Sequence, residues 1–309
     1  MIEKLRQRFC KDNKISLQLF ESPYFEERLK LFGYLDQYES FIQMVETKFD
    51  SVEAYFEYYN NVKDTVIDFI KNSEAYQALN SDDMNKYPKY QIRQSDVYKY
   101  SNIGKKFISI DMRKANFSAL VKYGKDTNTK FFDTFNYESF MRQFTDCEYI
   151  IQSKYIRQVV FGNCNPKRQI TYESYLMSDI LKTLLDTNLV LESAIYSMCS
   201  DEIIIEESET TDVNAIEDFC SVFDKFPISC ETFILYKVAG TAAYIKQACS
   251  TNSNYTSTPV LKCVNPYEAP FIYRFMNNQP YEDSDYVFMF EGKLAKLLDT
   301  PNISLQIQP

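Results

Sequence analysis

The chain has 309 residues, 45% of them hydrophobic, with 24 Phe and 25 Tyr against 6 Gly, no Trp and no His. This is enough for one large domain or two ordinary ones around an apolar core. Without histidine, His general bases, Ser-His-Asp triads and His-ligated zinc or iron are excluded, and any catalysis falls to carboxylates, Lys, Tyr, Cys or metals held by oxygen. Few glycines, and no GxxxxGK[ST] or GxGxxG, take away the main support for P-loop and Rossmann readings.

The net charge of −9 hides a local reversal. Residues 84–168 carry 16 Lys and Arg against 7 Asp and Glu, and the remainder carries 18 against 36. A basic segment in an acidic protein is either an electrostatic footprint or a solvated face.

The N-terminal stretch "MIEKLRQRFCKDNK" has no hydrophobic signal core, and no apolar run of 18 residues occurs, so a soluble, cytoplasmic protein with no membrane association is expected. Residues 35–72 read as helix. Ser51 is placed as an N-cap, followed by an apolar stripe of Val52, Tyr55, Phe56, Tyr59, Val62, Val66, Phe69 and Ile70. The polar, interrupted stretch 80–96 reads as a linker that closes a helical N-terminal region, 1–95. In "KYPKYQIRQSDVYKY" (86–100), Tyr interleaved with Lys and Arg suits single-stranded nucleic acid or is an exposed loop.

A core follows over 96–240, then a C-terminal α/β extension over 241–309. "KFISID" (106–111) reads as a strand, and a helical insertion spans about 120–165. Residues 168–186 form a helix with Ile170, Leu176, Ile180, Leu181, Leu184 and Leu185 inward. Strands near 194–199 and 203–207 form a hairpin. Residues 212–226 form an amphipathic helix, and 230–238 alternate like a strand. The eight cysteines include no CxxC and several lie in apolar periodic segments, which reads as buried reduced thiols.

Without the insertion the order is β-α-β-β-α-β. The expected class is α+β, a ferredoxin-like arrangement with an inserted helical region and a helical N-terminal domain. That topology makes the first and third strands neighbours. It sets Asp111, at the end of one strand, beside the hairpin tip "CSDE" carrying Asp201 and Glu202, 90 residues later. Carboxylates converging at a strand end are costly unless they bind a hard cation. Mg²⁺ (or Mn²⁺) takes oxygen ligands and binds through one or two carboxylates plus substrate phosphates. Two such ions about 4 Å apart activate a hydroxyl and stabilise a leaving pyrophosphate, chemistry that needs no histidine. The competing readings are a strand-end carboxylate and a polar turn.

"SIDMRKANFSAL" (109–120) resembles motif A of palm-domain polymerases, with Asp111 as the metal-binding Asp, then Ala115, Asn116 and Phe117. "YSMCSDEIIIE" (196–206) resembles motif C. Its Asp-Glu is similar to the His-Asp-Glu of family A DNA polymerases, with Ser200 in the place of His, and to the Ser-Asp-Glu of tRNA-His guanylyltransferases. "GNCNPKRQITYESYLMSDIL" (162–181) stands where motif B would, although the family A tyrosine-containing helix is not recognisable.

The resemblance covers residues 106–238 and implies a palm-type nucleotidyltransferase or polymerase acting on nucleoside triphosphates and single-stranded or primed nucleic acid. It implies Asp111 and Asp201 as ligands of both metals, with Glu202 as a further ligand or a partner of the ligands. Lys167 and Arg168, opening the long helix, would meet a triphosphate. One of Arg113 and Lys114 would reach phosphates, and Asn116 would sit near the ribose. A nucleotide cyclase or oligonucleotide synthase on the same palm lacks its GGDEF-type glycine signature here. The reading from another class is a non-catalytic nucleic-acid or protein interaction module with a degenerate palm.

Overall fold

Residues 2–81 form five helices: α1 (Ile2–Asn13), α2 (Tyr24–Phe32), α3 (Leu35–Lys48), α4 (Val52–Asn72) and α5 (Glu74–Ser81). A computed structural model gives these coordinates and describes residues 2–92, 95–249 and 259–308. Helix α4 begins as its sequence dictates. The Ser51 side chain accepts a hydrogen bond from the Ala54 amide at 3.1 Å, satisfying one of the orphan donors of the first turn. Tyr55, Tyr59, Val62, Val66 and Ile70 of the expected stripe are buried, whereas Phe69 is exposed and packs against Phe140 and Phe144.

Strand β1 (Lys106–Met112) leads into α6 (Ala115–Thr127), α7 (Tyr137–Met141), α8 (Glu148–Gln152), α9 (Lys154–Gly162) and the long α10 (Pro166–Asp186). The hairpin β2 (Ile195–Met198) and β3 (Glu202–Glu206) follows, then α11 (Val213–Val222) and β4 (Ile228–Ala239). Strands β5 (Tyr244–Cys249) and β6 (Val260–Lys262) and helix α12 (Ala269–Met276) come next. A small hairpin, β7 (Val287–Phe290) and β8 (Lys293–Lys296), and β9 (Ser304–Gln306) complete the described chain. The class is α+β. The main sheet is antiparallel in the order β2-β3-β1-β4-β5-β6, and β9 also pairs with β4.

Register follows from the apolar pattern, because a one-residue slip would exchange the two faces of a strand. Ile108 opposes Ile205 and Ile110 opposes Ile203, while Ser109 opposes Ile204 and Asp111 opposes Glu202. Ile108, Ile110, Met112, Ile203 and Ile205 therefore face the helices. Phe107, Ile204 and Phe233 form a smaller cluster with Val97 and Tyr196 on the other face. Each large apolar side chain fully buried this way contributes about 1.5–3 kcal/mol.

The main core runs without a break from Leu5, Phe41 and Tyr55 to Phe117, Leu176 and Phe226, so helices on both sides of residue 95 share it. The sheet likewise continues across residue 240, with β5 paired along β4. In α10 the inward face is Tyr172, Glu173, Leu176, Met177, Ile180, Leu181 and Leu184, and Ile170, expected inward, is 46% exposed. A tyrosine cluster accounts for the difference. Tyr172 packs among Tyr87, Tyr123 and Tyr175, which rotates Ile170 to the rim. All eight cysteines are free. Cys10, Cys147 and Cys164 are buried, but Cys199 and Cys263 are exposed. Among the described residues no helix is long and apolar enough to cross a membrane.

Candidate functional site

The end of β1 and the β2–β3 turn meet. Cys199 donates its amide to the Glu202 carbonyl at 2.8 Å, leaving Ser200 and Asp201 as a two-residue tip. The Met112 amide donates to the Asp201 carbonyl at 2.8 Å, which ties that tip to β1 immediately beyond Asp111. Asp111 and Glu202 are cross-strand partners on one face. The fold thus brings Asp111, Asp201 and Glu202 together across 90 residues of chain.

Asp111 is half-buried. Burial, then the negative charges of Asp201 and Glu202, push its carboxyl up to about 6, against the opposing pull of Lys154 and Lys246. Glu202 is held back by the buried Ser109, whose hydroxyl donates to Oε1 at 2.6 Å. Ser200 Oγ donates to Asp201 Oδ1 at 3.3 Å.

Asn116, in the first turn of α6, donates from Nδ2 to Glu173 Oε1 at 2.8 Å. Glu173 is only 2% exposed. Burial and the charge of Asp201 push its carboxyl up to about 7, against the pull of the Asn116 bond. It is a fourth carboxyl at this end of the sheet, and composition did not announce it. A signal existed nonetheless. Glu173 stands three residues before Leu176 and seven before Ile180, on the apolar face of its own helix.

The expected cations divide. Lys114 adopts a left-handed backbone (φ 52°) at the start of α6, forms an ion pair with Glu138 and lies 5.8 Å from the Tyr137 ring centroid. Arg113 is exposed. Arg168 is committed elsewhere, donating to the Leu79 and Asp82 carbonyls at 2.8 Å each, and Lys167 is exposed in the first turn of α10. Neither is bonded to the carboxylates. The cations that do act on Asp111 are Lys154, opening α9, and Lys246, ion-paired to Glu231 on β4. Nothing in the spacing of "SKYIRQ" places Lys154 beside a strand that ended 42 residues earlier, at Met112.

The expected aromatic path is partly consumed by the fold. Tyr87 packs edge-on against Tyr172 and Tyr175 and donates its hydroxyl to Asp82 at 2.7 Å; the Tyr90 amide donates to Ser178 Oγ at 2.8 Å. Lys86, Lys89 and Lys99 are exposed, as is Tyr100. Arg93 lies outside the described residues.

Mg²⁺ commonly takes one or two protein carboxylates, with water and phosphate completing its octahedron. Asp111 and Asp201 suit that donor set, since the like-charge repulsion that raises Asp111 is what a cation would relieve. A closed cage is not offered. Among the described residues no group of three or more His, Cys, Asp or Glu side chains is arranged to hold a metal ion. No family model matches the chain, and no curated protein matches it.

Proposed function

We propose that this protein is a palm-type nucleotidyltransferase that joins nucleotides to nucleic acid. One observation carries the reading. The strand order β2-β3-β1-β4, with helical crossovers between β1 and β2 and between β3 and β4, supports the reading of a ferredoxin-like βαββαβ palm. It sets Asp111 beside the Ser200-Asp201-Glu202 turn, the place such a palm would hold its metal ligands.

In the reaction, a strand-end or acceptor hydroxyl attacks the α-phosphorus of a nucleoside triphosphate. A new phosphodiester forms, the hydroxyl's proton passes to solvent, the α-phosphorus–oxygen bond to the β-phosphate breaks and pyrophosphate leaves. Asp111 and Asp201 would hold Mg²⁺ or Mn²⁺, which when bound supplies charge for the hydroxyl and the leaving oxygen. Glu202, kept in place by Ser109, flanks them. Asn116 spends its amide N–H on Glu173, so its Oδ1 is left to accept from a sugar hydroxyl.

A second reading, a non-catalytic nucleic-acid or protein interaction module on a degenerate palm, draws on the lack of a three-ligand cage among the described residues. Incubation with each labelled NTP and dNTP, with and without primer-template, in Mg²⁺ or Mn²⁺ separates the two. Incorporation with any of them is expected. None with all of them would leave the interaction module.

A further inference from the structure

Where the end of α1 meets the start of α9 stands a group of cations that take part in no ion pair among the described residues. The end of α1 is tied to the start of α9 by Asp12, which accepts from Ser153 Oγ at 3.2 Å and from the Tyr149 hydroxyl at 3.0 Å. Lys14 stands two residues after that tie on one segment, and Lys154 one residue after it on the other. Arg157 is one turn further along α9 and half-buried, its guanidinium 5.5 Å from the centroid of the Tyr137 ring. Lys114 approaches the same ring, and the Tyr137 hydroxyl is buried without a hydrogen-bond partner among the described residues.

Partial burial, then the like charges of Lys154, Arg157 and Lys262, lower the pKa of Lys14. Among the described residues none of Lys14, Lys154, Arg157 and Lys262 has an ion pair. The carboxylate facing Arg157 is Glu138, which already binds Lys114. Lys14, like Lys114, has a left-handed backbone (φ 55°), a conformation uncommon for a residue with a side chain.

Three cations without an ion pair, brought together where Asp12 ties the end of α1 to Ser153, are unfavourable for an empty protein and favourable for a compact polyanion. Of these cations Lys154 also acts on Asp111, which links the group to the carboxylates. We propose that Lys14, Lys154 and Arg157 form an oligophosphate-binding group, contributed by the segment that follows α1 and by α9, that holds the phosphate chain of the nucleotide. The identification of that chain as a nucleoside triphosphate rests on the nucleotidyl-transfer reading. The recognition of an oligophosphate does not.

The test is calorimetric binding of inorganic tripolyphosphate to the full chain in EDTA and low salt, where no metal contributes. The double variant Lys14→Met with Lys154→Met is compared with a control pair of equal charge change on an exposed part of α1, Lys4→Met with Lys11→Met. Loss of two charge-assisted hydrogen bonds is expected to weaken binding about tenfold or more, against less than about twofold for the control. Repeating the titration with ATP and with a short single-stranded oligonucleotide separates the sources of phosphate. No tripolyphosphate binding, equal losses in both pairs, or a loss confined to the oligonucleotide would overturn the proposal. Tripolyphosphate binding in a protein that incorporates no nucleotide would instead overturn the transferase reading and leave the site standing.

Discussion

The two faces of strand β1 are built from alternate residues of one short sequence and do opposite work. Ile108, Ile110 and Met112 are sealed against the helices, matched by Ile205 and Ile203 on β3. Ser109 and Asp111 point the other way, toward Glu202, on the face that also buries Phe107. Burial drives the first set into place with no requirement for chemistry. The second set is held against its own preference: Asp111 is partly desolvated and repelled by its neighbours. A strand that only supported the sheet would gain nothing from that repulsion.

Stability should separate the faces most strongly. Ile110→Ala is expected to cost about 2–5 kcal/mol, whereas Ser109→Ala, which removes one hydroxyl from the other face, should cost about 1 kcal/mol. Urea denaturation of the two variants checks this. Equal losses would mean the carboxylate face is as structural as the core.

Ligand binding is the next largest effect. The Asp111 end of the second face should bind metal and triphosphate together, because phosphate oxygens complete the metal's coordination. NTP with Mg²⁺ at about 100 times its dissociation constant would add roughly 2.7 kcal/mol. The melting temperature should therefore rise by several degrees, more than with either alone. No rise with any NTP or dNTP, in Mg²⁺ or Mn²⁺, would remove the distinction between the faces.

Glu173 tests the boundary between them, being a carboxyl on the core side that senses Asp201. Its folded-state pKa is raised from the ordinary 4.5 to about 7. Below the ordinary value both folded and unfolded states are protonated and there is no penalty. As pH rises from 4.5 through 7 the folded state resists ionising and loses stability, and above 7 the loss is constant. Glu173→Gln should therefore match wild type near pH 4 and exceed it at pH 8 by at most about 3 kcal/mol, since raising a carboxyl by one pH unit costs at most about 1.4 kcal/mol. A pH-independent difference between the two proteins would place Glu173 in an ordinary polar contact.

Most of the fold is legible in the sequence. β1, α10, the β2–β3 hairpin, α11 and β4 all follow from apolar periodicity, and the Asp111–Glu202 pairing follows from their order. The cations are not, because charge on a helix surface has no period that says what it faces. Arg168 reads as a phosphate ligand and instead holds the end of α5; Lys154 reads as an insertion residue and acts on Asp111. Glu173 is readable from its place on an apolar helical face, but only by asking why a carboxylate stands there.

The smallest effect concerns the approach to the site. If the exposed Lys86, Lys89 and Lys99 guide a single strand, replacing all three with Met should lower the slope of log K against log salt by about 0.7 for each phosphate no longer neutralised. An unchanged slope in fluorescence-anisotropy titrations would direct the strand elsewhere.

That Asp111 and Asp201 serve phosphoryl transfer and not the sheet is tested most directly by labelled-nucleotide incorporation with Asp111→Asn and Asp201→Asn, each melted in EDTA beside wild type. Incorporation should disappear in both variants while their melting temperatures hold or rise, since each substitution removes a repulsive charge. Incorporation that survives either substitution, or a large drop in melting temperature in both, would contradict the account.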